Sequence, residues 1–139
     1  MFSDGWDGTF VTKACLPTGF GILLVVVALL LGVRTHAFVR RATAVPGVVE
    51  RLNAGGSHPE IQFTTPAGDR VSYPQGGWIF GYKPGQTVRV LFEAHDPQGT
   101  AQIDAIGALY FNSIVLSFIG LIAILVGTQE MITYLSHRK

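Results

Sequence analysis

Two stretches of this chain contain no Asp, Glu, Lys, Arg or His: ACLPTGFGILLVVVALLLGV (Ala14 to Val33) and AIGALYFNSIVLSFIGLIAILVGT (Ala105 to Thr128). Each matches the ~20 apolar residues that a helix needs to cross a hydrocarbon core about 30 Å thick. With 14% charged residues and a mean hydropathy of +0.38, the chain is too apolar for an ordinary soluble domain. Both stretches are expected to be transmembrane helices, 14–33 and 105–128. They leave a short N-terminal tail (1–13), a basic juxtamembrane segment (34–41), a middle domain (42–104) and a basic C-terminal tail (129–139). The expected fold class is membrane α+β: a helical hairpin with a small antiparallel five-stranded β-domain inserted between its helices.

A cleaved signal peptide is the competing reading of the first stretch. It calls for a positive leading region and a small-residue cleavage site. The residues MFSDGWDGTFVTK carry two aspartates and one lysine instead, and the apolar core ends at Arg34. Cys15, the single cysteine, forms no intramolecular disulfide. The formal net charge of +1 supplies no basic field for nucleic acid.

Within lipid, helices associate where small residues let backbones approach. The first stretch offers Gly21, Val25, Ala28 and Gly32 along one stripe. Ser113, Ser117, Gly120, Ile124 and Gly127 form a matching stripe in the second. Helix pairing is expected through Gly21, Ala28, Gly32, Ser113, Ser117 and Gly120, and any surplus small-residue face allows a homo-oligomer. Ionisable groups inside a bilayer mark ion pathways, and their lack here argues against transport.

The ends of the stretches suit a membrane boundary. Pro17 reads as a first-turn residue, where a missing N–H is tolerated, and Asp104 reads as an N-cap. Arg34, Arg40 and Arg41 are placed to meet lipid phosphates, and the bilayer is the first expected partner. Lys13, Arg138 and Lys139 on one side balance Arg34, Arg40 and Arg41 on the other. A connection longer than ~60 residues translocates largely regardless of charge. The β-domain is therefore expected on the extracytoplasmic side of the membrane.

From Ala42 to Asp104 the pattern alternates with a period of two and turn signals recur. PGVVERL, EIQFTTP, RVSYP, TVRVLFE and a short run at Ala101 to Ile103 read as five strands. Val88, Val90 and Phe92 share one face of the fourth. Ala67 to Asp69, Pro84-Gly85 and Asp96-Pro97 mark turns.

This arrangement resembles the bacterial two-span membrane proteins called domain of unknown function 3592. The likeness runs through Gly47 and Val49, then Phe63, Thr65 and Gly68, then Tyr82, Gly85, Val88, Val90 and Phe92, closing with Asp96 and Pro97. Phe92 stands where that family usually has tyrosine. The resemblance implies the fold and a membrane location, and it carries no activity to transfer.

The segment PQGGWIFGYKPGQ concentrates three aromatics, Trp78, Phe80 and Tyr82, among glycines and prolines. On an extended backbone they share a face opposite Ile79, Gly81 and Lys83. Three roles suit them: closing the end of the barrel core, seating in the headgroup layer, or docking a protein. Tyr82 is expected in the core and Trp78 at a surface.

Catalytic signatures are thin. Glu93 and His95 fall on one side of a strand end, yet a hydrolytic metal site needs three converging ligands. No serine or cysteine sits in a nucleophile context, and AGGSH joins two strands rather than cradling phosphate. No catalytic residue, metal or cofactor is assigned. The first expectation is a non-enzymatic membrane-anchored binding or scaffold protein, an accessory subunit of an envelope complex with a protein partner of unknown identity. The alternatives are an immunity-type protector against a membrane-acting toxin and a hydrolase using Glu93 and His95.

Overall fold

A computed structural model of the chain describes residues 8–56 and 58–137. Part of the N-terminal tail, and Arg138 and Lys139 of the basic tail, lie outside the described residues. The chain forms two compact units: one from its two ends, up to Leu31 and from Asn112 onward, and one from Gly32–Phe111.

The first unit is helical. A short turn, α1 (Gly8–Phe10), continues through a π-helical turn, Val11–Cys15, into α2 (Leu16–Arg41), and the chain ends in α5 (Phe111–Ser136). Pro17 is thus the second residue of α2, in its first turn, directly after the π-helical turn. The wide turn immediately before it gives room where the ring lacks an N–H and crowds the preceding carbonyls. Two helices, Thr12–Arg41 and Phe111–Ser136, are long and apolar enough to cross a membrane by length and composition. At ~1.5 Å per residue, the 26 residues of α5 extend about 39 Å, more than a hydrocarbon core is thick. Leu23, Leu30, Phe118 and Leu125 are exposed. The buried positions of these helices are small: Gly21 and Ala28 in α2, Gly120 and Gly127 in α5.

The second unit is a five-stranded antiparallel sheet in the order β3-β2-β1-β4-β5. Its strands are β1 (Thr43–Asn53), β2 (His58–Thr64), β3 (Arg70–Pro74), β4 (Thr87–Phe92) and β5 (Gln102–Ile103). The long central β1 pairs with β2 through its C-terminal half and with β4 through its N-terminal half. A bulge between Val49 and Arg51, within the ladder to β2, bends it just beyond the end of its pairing with β4. Period-two alternation then delivers Val49, Ile61, Phe63, Tyr73, Val88, Val90, Phe92 and Ile103 to one core. Two short helices, α3 (Pro97–Thr100) and α4 (Ile106–Leu109), follow β4. Asp96 caps α3 by accepting from the Gly99 N–H. Asp104 is not a cap: its carboxylate lies 3.5 Å from Arg89, and the N-cap position of α4 is Ala105, which has no side-chain bond to offer.

The sheet does not close through backbone pairing. Gln75, only 4% exposed, reaches from the end of β3 to β5 instead. Its Oε1 accepts from the Ile103 N–H (2.7 Å) and from the Tyr73 hydroxyl (3.1 Å), while Nε2 donates to the Gly76 carbonyl. Burial, and secondarily Tyr82, hold the Tyr73 phenol well above its ordinary pKa, so it remains a donor to Gln75. Gln75→Leu would strip the acceptor from two buried donors. The expected loss of sheet stability is about 2–4 kcal/mol, read by chemical unfolding of the full chain in detergent, with Gln75→Glu losing less because it keeps an acceptor.

Candidate partner-binding surface

The loop between β3 and β4 presents the aromatic residues. Ile79 is 5% exposed and joins the core, whereas Trp78 and Phe80 are 63% and 68% exposed. Phe80 therefore does not close the barrel; the branched Ile79 takes that place, and alternation turns its neighbours outward. Tyr82 leaves their face and packs partly buried against the core. Gly81, at φ +80°, breaks the alternation between Phe80 and Tyr82.

The loop rests on α4. The Trp78 N–H donates to the Gly107 carbonyl at 2.9 Å. Gly77 makes this possible twice over. Its φ of +96° is one that side-chain-bearing residues avoid, and a Cβ there would stand 2.5 Å from the Gly107 oxygen. The Trp78 ring then lies edge-on to Phe80 (6.1 Å between centroids) and to Phe111 (5.9 Å). Phe111 is the first residue of α5, so the exposed cluster stands where the long apolar helix begins. Neither Gly107 nor Phe111 carries a sequence signal that ties it to a loop about thirty residues away.

The three arginines part company. Arg41 donates from Nε to the Glu93 carboxylate at 2.7 Å. Arg34 lines a cleft with Thr35, Phe38, Thr100, Gln102 and Leu109. Arg34 and Arg40 make no ion pair among the described residues. All three lie on α2, which runs through the expected juxtamembrane segment to Arg41. Glu93 is engaged on both oxygens, by Arg41 and by the His95 Nδ1 at 3.5 Å. Among the described residues no group of three or more His, Cys, Asp or Glu is placed to hold a metal. Glu93 and His95 are thus paired with each other, and Glu93 with Arg41, at a strand end.

Of the small-residue stripes, Gly21 faces Gly120 and Ile124, and Gly127 faces Ala14 and Thr18. Ala28 is buried, and Ser113 and Ser117 are half-buried. Gly32 stands in open space instead: a Cβ there would meet nothing within 4 Å. Ala14, nearly fully buried, continues the Gly21 and Ala28 stripe at a seven-residue spacing that sequence reasoning overlooked.

The chain is similar to Immune protein Tsi4 of Pseudomonas aeruginosa, with 46% identity over 100 residues that cover 72% of this chain and 69% of that relative. No family model and no solved structure matches it.

Proposed function

The chain belongs to the family of Immune protein Tsi4, and from that premise we propose that it is an immunity-type protector, a non-enzymatic membrane protein that binds a toxin and blocks it at the bilayer. The observation that carries this reading is the 46% identity to that relative. An accessory-subunit role in an envelope complex, the first expectation from the sequence, has no relative behind it.

In this reading α2 and α5 form a transmembrane hairpin in a bacterial inner membrane, clasped through Gly21, Ala28, Gly120 and Gly127. Their exposed leucines and phenylalanines then face lipid, which accounts for apolar surface that water would penalise. The sheet unit stands outside the cytoplasm, with Arg34, Arg40 and Arg41 near the phosphates. Trp78 and Phe80 offer exposed aromatic surface of the kind that dominates protein recognition, at the level where a membrane-acting toxin arrives.

Deleting the gene is expected to leave cells outcompeted by their unmodified siblings in dense contact, with plasmid-borne expression restoring parity. Equal competition by the deletion strain sinks the proposal. The double variant Trp78→Ser, Phe80→Ser should lose protection while still fractionating with membranes. Loss of such anchors costs about 2 kcal/mol or more, roughly thirtyfold in affinity. Full rescue by that variant would move the toxin-binding surface elsewhere.

A further inference from the structure

The charge-free run from Ala105 to Thr128 does not form one helix. Its first residues make the separate turn α4, which Tyr110 closes by donating its N–H to the Ile106 carbonyl, and α5 begins only at Phe111. Ala105 and Ala108 pack against the sheet core, and the Gly107 carbonyl accepts from the Trp78 N–H. Those contacts fasten α4 to the sheet unit and leave Ile106 outside. Its side chain is 72% exposed, more than any other large hydrophobic among the described residues. One exposed isoleucine is ordinary on a protein surface. What singles out Ile106 is where the chain puts it.

Two observations bear on that place, and the step from them rests on the membrane-spanning reading above. Phe111 opens α5 five positions after Ile106, and no charged side chain intervenes or follows before Thr128. The Trp78 ring, on the loop bonded to Gly107, lies 5.9 Å from the ring of that same Phe111. The α4 edge of the sheet unit thus coincides with the start of the spanning helix, where headgroups give way to hydrocarbon. An aliphatic side chain gains free energy by entering that boundary. We propose that α4 is seated on the bilayer: the Ile106 side chain enters the acyl boundary of the leaflet, Ala105 and Ala108 tie the sheet core to it, and the Trp78–Gly107 bond fixes the aromatic loop at that depth. Trp78 and Phe80 stay the toxin-docking pair, and lipid is the partner of Ile106.

Nitroxide accessibility in the full chain, reconstituted into phospholipid nanodiscs, tests this directly. Cys15 is replaced by serine so that Ile106→Cys, Ala67→Cys or Leu125→Cys carries the single label. Ala67, exposed in the turn beside Asp69 and Arg70, is the water reference, and Leu125, 67% exposed on α5, is the lipid reference. Collisions with a water-soluble nickel chelate should be about tenfold fewer at 106 than at 67, as expected when transfer of an aliphatic-sized group to hydrocarbon holds the seated state. Collisions with oxygen, which concentrates in hydrocarbon, should rise toward the value at 125. A label at 106 as open to the chelate as one at 67 overturns the inference and leaves Ile106 as surface for a protein partner. A label shielded from chelate and oxygen alike is covered by protein, which overturns it equally. Chelate access at Leu125 would overturn the membrane-spanning reading and this inference with it. A shielded Leu125 beside an open 106 rejects the seating of α4 alone.

Discussion

Phe92→Ala is expected to unfold the sheet unit. Phe92 is 1% exposed, lies at the end of β4 and packs on Phe63 with ring centroids 5.1 Å apart. Truncating a buried phenylalanine costs about 3–5 kcal/mol, from lost transfer energy and from the cavity left behind. A core of this size supplies little more than about 3–5 kcal/mol of net stability in the first place. The substitution therefore removes most of what holds Gly32–Phe111 together, whereas Phe92→Leu leaves a smaller cavity and a weakened fold. Limited proteolysis of the full chain in detergent would report the difference as cleavage within β1 to β4. Protection in the sibling-competition assay should fall with it. Wild-type protease resistance in Phe92→Ala would mean that the residue is not part of the core.

Gly21→Leu should have the next largest effect, in the helical unit. A Cβ on Gly21 would stand 2.5 Å from the Gly120 carbonyl oxygen, 2.8 Å from the Ile124 side chain and 2.9 Å from its backbone nitrogen. Two of those three neighbours are backbone atoms, which have no rotamer through which to yield. The helices would have to separate, and the close contact that drives association in lipid would be lost. A penalty of about 2–3 kcal/mol is expected, the upper range for overpacking. Gly32→Leu is the internal control: the same chemical change on the same helix, but with open space around the new atoms, should stay within about 0.5 kcal/mol. Titration into denaturing detergent, followed by loss of helix–helix contact, separates the two variants. Equal sensitivity would show that backbone proximity at Gly21 does not matter.

Much of the architecture was open to a reader of the sequence because it rests on local pattern. The charge-free runs announce both long helices. Alternation in RVSYP and TVRVLFE places β3 and β4 almost to the residue, since a strand's two faces are written every second position. The features that stayed hidden depend on partners far along the chain. Nothing near Gln75 shows that its amide will meet Ile103, and nothing near Gly77 shows that it must clear Gly107. The exchange of Phe80 for Ile79 in the core has the same origin. Alternation says that two neighbours point opposite ways, but not which way is inward. Function was less legible still. The sequence holds no nucleophile, metal or phosphate-loop signature to follow, and Trp78 and Phe80 read equally well in it as core, anchor or docking patch.

The link made by Gln75 sets how the sheet would come apart. A ring joined everywhere by paired strands has no preferred place to start unrolling. Here the final joint rests on side-chain carboxamides, Gln75 just after β3 meeting the two-residue β5 and Gln98 of α3 donating to the Ser72 carbonyl of β3, so its seam is the natural starting point. The stretch released first would include the loop that holds Trp78, so damage to the fold would reach that exposed aromatic surface before it reached the central strand.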